Sequence, residues 1–541
     1  MEVAPLKRMP RPIAPCGVGL LFAGCVLLNG SDARAQMSGA FMDAFAPKLQ
    51  APRSAPRFQK YDRDALAKLA ETATFAPAGS GAGTSGFDST NTRKSRSKIK
   101  TKNAANAQTI APGVPAQPTP SPYDKSADVT ASVPAGAPGA PPVQLGPIRT
   151  PPKKRKAHTE PEDPYAPLGI RAGAFDLFPA VELIGGYNTD PGQTPNGKAA
   201  WFYTIAPELR VQSNWSRHEL KADLRGSYIA YSPDETPSLN RPYVNGRVDG
   251  RIDVTHDTRV DLAGRVLVST DNPGSPNLQA GLAKLPIYVT GGGTVGVGQR
   301  FNRFDVSIKG DVERTVYQQS QLTDGSTSSN DDRNYDQYAG KLRGGYELSP
   351  GLIPFAEISG DTRVHDLNTD SSGYQRNSNG LTGKVGTKFE LSRLLTGEAA
   401  IGYTRRVYED PRLEDISGLI GDASLIYTAS ALTTVKMIGG ATIGESTIPG
   451  VSGVLYRNVG FQVDHAFRQW LVGSLKFGFG VDDYVGNDRL DKRYSAGAGV
   501  TYKLNRELQV RGEFRQDWLQ SNAPGASYTA SVVMLGLRVQ R

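Results

Sequence analysis

From about residue 170 to the last residue, apolar and polar side chains alternate in runs of about ten residues, each followed by a turn. In one run, Asp249 and Arg251 alternate with Val248, Gly250 and Ile252. Successive side chains of a strand point to opposite faces of a sheet, so each run has one charged and one apolar face. No helical pattern interrupts the runs to cover the apolar face. The sequence therefore predicts an all-β protein, a transmembrane antiparallel up-and-down β-barrel with lipid outside and water inside.

Tight and long connections alternate between these runs. The tight turns fall at residues 214–217, 256–259, 300–303, 349–352, 391–394, 429–432, 467–470 and 505–508. Eight tight turns and nine longer polar connections predict about 18 strands. Because the first and last connections are long, both ends of the barrel should lie on the tight-turn side. Short turns of outer-membrane barrels face the periplasm, so we expect the sequence before the barrel to be periplasmic.

The N-terminus has the features of a secretory signal peptide. Three basic residues precede the apolar residues 13–28, and Ala35 ends a small-residue cleavage sequence. We predict a leader over residues 1–35, removed after Ala35. Alternatively, the sequence before Cys25 resembles a bacterial lipobox, in which this thiol would be acylated. Since Cys16 and Cys25 are the only cysteines, removal of the leader would exclude disulfides and thiolate metal sites from the mature chain.

Residues 36–167 are rich in Ala, Pro, Ser and Gly. Such a segment cannot bury enough apolar surface to offset the entropy of ordering, so we predict a disordered, basic periplasmic segment before a barrel at residues 168–541. Its basic clusters are one between Arg93 and Lys102 and one from Lys153 to Lys156. The favoured interpretation of these clusters is a solvated linker; the alternative is electrostatic contact with an anionic periplasmic surface, such as peptidoglycan or inner-leaflet lipid.

Charges in the repeated region are balanced, with 40 basic and 41 acidic residues from residue 166 onward. This balance argues against a nucleic-acid-binding face. The alternation places seventeen charged residues on the inner wall, where side chains of neighbouring strands should pair. These residues are Lys221, Asp223, Arg225, Arg247, Asp249, Arg251, Asp253, Asp261, Arg265, Asp305, Lys309, Asp311, Glu313, Arg511, Glu513, Arg515 and Asp517.

Aromatic residues near the strand ends are predicted to form two girdles at the lipid–water boundaries. The girdle on the long-loop side would contain Tyr187, Tyr231, Tyr317, Tyr408, Tyr484 and Trp518. The girdle on the tight-turn side would contain Trp215, Phe301, Phe304, Phe467 and Trp470.

No motif predicts catalysis or cofactor binding. Residues 291–296 match G-x-G-x-x-G, but another strand pattern follows them where a dinucleotide fold needs a helix. Walker A, H-E-x-x-H and G-x-S-x-G sequences are absent. We therefore predict no catalytic residue, cofactor or metal ligand. An outer-membrane hydrolase is the weakest alternative, since a site assembled from several strands leaves no local motif.

The C-terminal sequence completes a family pattern. Val533, Leu535, Leu537 and Val539 alternate with other residues in a final strand of the kind that barrel assembly machinery recognises. With its leader, Pro/Ala-rich segment and hairpin repeat, the chain resembles the putative β-barrel porin family over about residues 168–541. This α-proteobacterial type of outer-membrane barrel has relatives in exopolysaccharide operons.

The resemblance implies a location in the bacterial outer membrane, in contact with lipid and lipopolysaccharide. It implies a passive, porin-like channel for small hydrophilic solutes or an accessory to polysaccharide export, and no catalytic, cofactor or ligand residues. A non-conducting structural barrel, which tethers the envelope through its basic tail, is the main alternative.

Overall fold

Eighteen long antiparallel strands form a closed sheet in the computed structural model, which describes residues 164–390 and 394–541. A three-residue strand, β1 (Ile170–Ala172), pairs with the first long strand. The only helix of these residues is a single 3-10 turn at Asp331–Arg333. Among residues 164–390 and 394–541, no helix is both long and apolar enough to cross a membrane.

The long strands contain 12 to 16 residues each, which fits the thickness of a membrane for tilted strands. In chain order they are β2 (Phe175–Asn188), β3 (Ala200–Ser213), β4 (Glu219–Ser232), β5 (Arg241–Asp253), β6 (Thr258–Thr270), β7 (Ile287–Phe301), β8 (Phe304–Tyr317), β11 (Tyr335–Tyr346), β12 (Leu352–His365), β13 (Ser378–Glu390), β14 (Leu395–Tyr408), β15 (Ile416–Tyr427), β16 (Thr433–Gly444), β17 (Gly453–Arg468), β18 (Leu471–Val485), β19 (Leu490–Lys503), β20 (Leu508–Ser521) and β21 (Tyr528–Gln540). The two short strands β9 (Ser320–Gln321) and β10 (Thr327–Ser328) form a separate hairpin in the loop between β8 and β11.

The sheet closes between the first and last long strands. Residues 180–188 of β2 pair with residues 532–540 of β21, and every other long strand pairs with its neighbours in the chain. Closure removes the free edges that an open sheet would present to lipid. The predicted up-and-down barrel of about 18 strands is confirmed.

The two faces of the wall differ in polarity as the alternation predicts. Large apolar side chains such as Leu183 and Leu535 are exposed on the outer face, with 51% and 63% of their surface accessible. Polar and charged side chains such as Glu182, Gln462 and Arg538 are buried on the inner face. A water-soluble protein has the opposite arrangement, so this barrel is built to stand in lipid.

The tight turns lie at one end of the barrel and the nine long connections at the other. At the tight-turn end, Asn505 accepts hydrogen bonds from the backbone N–H groups of Glu507 and Leu508, both at 2.8 Å. Arg506 in this turn donates to the carbonyl of Pro164 at 2.7 Å. This contact places Pro164, just before β1, at the tight-turn end. Gln540 at the end of β21 donates to the carbonyl of Glu507 in the same turn, so both termini of the sheet lie at the tight-turn end.

Several sequence predictions concern residues outside this description. The leader, the Pro/Ala-rich segment with its basic clusters and residues 391–393 of one predicted turn lie outside the described residues. These predictions stay predictions.

Candidate functional site in the barrel interior

The strand register places the seventeen charged residues, from Lys221 on β4 to Asp517 on β20, on the face of the wall that carries buried polar side chains such as Glu208 and Arg538. The strand register sets Lys221 opposite Asp249, and Asp223 opposite Arg247, on the face that bears the buried polar side chains. Ion pairs also form along a strand, for example between Arg247 and Asp249 at 2.7 Å. Any part that these residues take in conducting or selecting solutes stays a prediction.

Charge pairing continues around the wall. Lys309 contacts Asp261 at 3.4 Å, and Arg515 contacts Asp517 at 2.9 Å. Arg265 pairs with Glu313 and, at 3.6 Å, with Asp311. Because acids and bases interleave, the interior has a strongly polar surface without a large region of one sign.

Sequence reasoning missed the most buried of these clusters, which centres on Glu208 of β3. Arg538 of β21 donates to its carboxylate at 2.5 Å, and Arg210 and Arg225 approach it at 3.3 and 3.8 Å. The cluster bridges β2 and thereby joins the two ends of the barrel sheet. The alternation of Glu208 and Arg210 with apolar residues was the available signal.

An aromatic collar lines the inside of the long-loop end. Each of its members has less than 9% of its surface exposed. They are Phe202, Tyr231, Tyr288, Tyr317, Tyr335, Tyr408, Tyr484 and Tyr528. The prediction that Tyr231, Tyr317, Tyr408 and Tyr484 face the lipid–water boundary is wrong. Their strand positions point inward, where loops cover them; the guanidinium of Arg333, for instance, stacks 3.8 Å from the ring centre of Tyr317.

Other predicted girdle residues do lie on the outside. Tyr187 packs against Trp201, which is exposed, with 4.9 Å between the ring centres. At the tight-turn end Phe301, Phe304 and Phe467 are exposed. Aromatic rings at this end therefore meet the boundary at which such side chains are favoured.

Two loops from nearly opposite sides meet over the mouth of the barrel. They are the β6–β7 loop (residues 271–286) and the β16–β17 loop (residues 445–452), with eight long strands between them in one direction and ten in the other. Thr447 donates from its backbone N–H to the Asn277 side chain at 3.1 Å and from its hydroxyl to the Asn277 carbonyl at 3.3 Å. An 18-strand barrel is about 35 Å wide at usual strand spacing and tilt. Both loops must therefore reach inward, and we call their junction the crossbar.

Neighbouring loops hold the β6–β7 loop in place. Ala283 donates to the carbonyl of Gln321 at 2.8 Å, and Arg333 forms an ion pair with Asp271 at 2.7 Å. Burial would lower the pKa of the Arg333 guanidinium, but Asp271 beside it raises this pKa above its ordinary value. The arginine therefore stays charged and the loop stays tied to the β8–β11 connection.

One strand pairing in the wall is incomplete. β15 and β16 pair over five residues only, Ala423–Tyr427 against residues 435–439, whereas β14–β15 and β16–β17 each pair over twelve. Beyond Gly439, the end of β16 lies inside the wall. There Leu455 of β17 is buried against Ile416 of β15 and Tyr408 of β14. The β16–β17 loop can reach the crossbar because these strand ends are folded inward.

Within residues 164–390 and 394–541, no group of three or more His, Cys, Asp or Glu side chains is arranged to hold a metal ion. This absence does not test the predictions of no cofactor and no metal, which stay predictions.

Comparisons with known proteins identify the family. Solved structures similar to this chain include OccAB2 from Acinetobacter baumannii, at 12% identity and TM-score 0.36, covering 68% of this chain and 98% of that one. A BenF-like porin from Pseudomonas fluorescens has 9% identity and TM-score 0.37, covering 68% and 99%. The outer membrane protein opdK from Pseudomonas aeruginosa has 10% identity and TM-score 0.33, covering 68% and 99%. Likeness at this level supports no inference about solutes.

No curated protein sequence matches the chain. The family described as putative beta-barrel porin 2 matches residues 163–541, which is more than half of the sequence. The chain therefore belongs to the putative beta-barrel porin 2 family.

Proposed function

We propose that this protein is a passive channel of the bacterial outer membrane for small hydrophilic solutes. The observation that carries the proposal is a closed barrel with an apolar exterior and a charged, paired inner wall, in a chain of a porin family. At 18 strands a barrel is wide enough to hold water beyond its wall side chains. Interleaved acids and bases hydrate such a wall and give it little preference for either sign of charge.

Purified full-length protein in planar bilayers is expected to produce stepwise ionic currents. In a salt gradient the reversal potential should lie close to zero, because the wall charges are nearly balanced. A strong preference for anions or cations would contradict the balanced wall. Absence of current from protein shown to be folded would contradict the channel itself.

The crossbar favours a second candidate function, a structural barrel that conducts little. In this case the basic tail would tether the barrel to peptidoglycan through residues 93–102 and 153–156. Protein with and without residues 36–165 separates the candidates: the tether predicts loss of peptidoglycan co-sedimentation on deletion and no current from either form.

A role as an accessory to polysaccharide export predicts less exported polysaccharide from a deletion strain.

We infer that the long loops face the outside and that the N-terminal segment lies in the periplasm. The hydrogen bond from Arg506 to Pro164 supports this, since it brings the start of the described chain to the tight-turn end. A membrane-impermeant maleimide on intact cells should label Thr323→Cys in the longest loop and leave His256→Cys in a tight turn unlabelled. Both positions are exposed, so the reverse labelling pattern would show the opposite orientation.

A further inference from the structure

The incomplete β15–β16 ladder leaves two strand edges facing the same gap. The last pair is Ala423 with Gly439. If the register continued, Leu419 would lie opposite Ile443, and both side chains would point outward. Residues 418–422 of β15 and 440–444 of β16 are thus able to pair, but they are held apart.

Arginine side chains donate hydrogen bonds to the backbone carbonyl groups of Leu419 and Ile443, the two residues that would pair. Arg457 donates to the Leu419 carbonyl at 3.4 Å, and Arg363 donates to the Ile443 carbonyl at 2.9 Å. Unpaired backbone carbonyls in a barrel wall are costly unless another donor satisfies them. The separated arrangement is therefore a stabilised state of this seam.

The folded-in segment, residues 440–453, is called the inward hairpin. Close packing holds it against the wall: a Cβ atom on Gly453 would lie 2.9 Å from the Ile416 side chain and 2.6 Å from the Gly444 carbonyl. At its outer end, two adjacent glycines, Gly439 and Gly440, stand where β16 leaves the ladder. Glycine in a strand interior permits such a bend.

Polar contacts hold the tip of the inward hairpin across the mouth. Glu445 pairs with Arg363, and Arg376 donates to the Val451 carbonyl at 2.8 Å. Thr447 reaches Asn277 in the crossbar. Water can replace these polar contacts when the tip leaves, whereas the apolar base of the hairpin would meet β15 again in the extended ladder.

We propose that the inward hairpin is the gate of the channel, a statement that rests on the proposed function. In the inward state it forms the crossbar and narrows the mouth. In the outward state it swings about Gly439 and Gly440 together with residues 454–458 of β17, which stay paired with residues 440–444. It then pairs with β15 through Leu419 and Ile443 and withdraws Thr447 from Asn277. Backbone pairing along the wall then replaces the two arginine contacts.

A disulfide tests the outward state. Paired Cα atoms of adjacent antiparallel strands lie within the range that a disulfide spans, so Leu419→Cys with Ile443→Cys should cross-link only when the ladder extends. Leu425→Cys with Met437→Cys is the matched control, since these residues already pair, on the same face and with the same parity. Protein without added cysteines shows how much of the observed cross-linking comes from Cys16 and Cys25. Cross-linking is read as mobility on non-reducing gels and as linked peptides by mass spectrometry.

A second disulfide, Asn277→Cys with Thr447→Cys, locks the inward state. We expect both pairs to form and the outward-locked protein to conduct at least about twice as much as the inward-locked one, with the difference abolished by reduction. The gate is wrong if the control pair links and Leu419→Cys with Ile443→Cys does not. It is also wrong if both locks form and conduct equally.

The two proposals fail in different ways. If no form conducts, including the outward-locked one, the channel is refuted and there is nothing to gate. If the protein conducts and the outward lock never forms, the channel stands and the gate alone is refuted.

Discussion

Val385→Arg is expected to lower the free energy of unfolding in lipid by about 2–4 kcal/mol. Val385 lies midway along β13, points outward and exposes 60% of its surface. In a membrane that surface meets acyl chains, which cannot solvate a guanidinium. Equilibrium unfolding in vesicles, followed by tryptophan fluorescence, measures the loss.

The adjacent Lys384→Arg variant is the matched control. Lys384 faces inward and contacts Asp422 at 2.6 Å, so arginine there replaces one paired cation with another. We expect a change below about 1 kcal/mol, as for most substitutions that keep local contacts. Equal losses from the two variants would show that the faces of β13 do not differ in their surroundings.

The second large effect is expected for Glu208→Gln, which should cost about 3–5 kcal/mol. The amide removes the negative charge shared by Arg538, Arg210 and Arg225, and Glu208 and Arg538 are almost completely buried. Three cations would then repel one another at the junction between the first and last strands. Denaturant titration of the folded barrel provides the measurement.

Glu235→Gln makes the same chemical change in an exposed ion pair. Glu235 contacts Lys198 at 3.1 Å, but both side chains are open to solvent. Exposed pairs contribute about 0–1 kcal/mol, so this variant should behave almost as the wild type. If it proved as unstable as Glu208→Gln, burial would not be the reason for the loss at Glu208.

Strand number and the polarity of the faces could be predicted because they are local properties of the sequence. A strand side chain alternates with a period of two residues, so a charged set such as Arg511, Glu513 and Arg515 shares a face whatever the rest of the fold. The prediction for Tyr408 failed because it used only the position of this residue near a strand end. Tyr408 has the same parity on β14 as Glu398 and Arg406, which are buried on the inner face, so the alternation itself places Tyr408 inside.

The mouth could not be predicted from local alternation. Asn277 and Thr447 are far apart in sequence and meet only because two loops cross the barrel. The inward course of β16 was equally hidden. Ala441 and Ile443 continue the outward apolar pattern of the strand, as they would in an uninterrupted wall, and only the register of β15 with β16 reveals the departure.

Pairing of the first long strand with the last has a consequence for synthesis. Residues 180–188 of β2 have no partner on one edge until β21, a strand of 13 residues, has been synthesised. A ribosome that stops before Tyr528 releases a chain with two bare β-edges and with Glu208 lacking Arg538. Without β21 the ring cannot close, so a product truncated before this strand keeps two edges open to pairing with other chains.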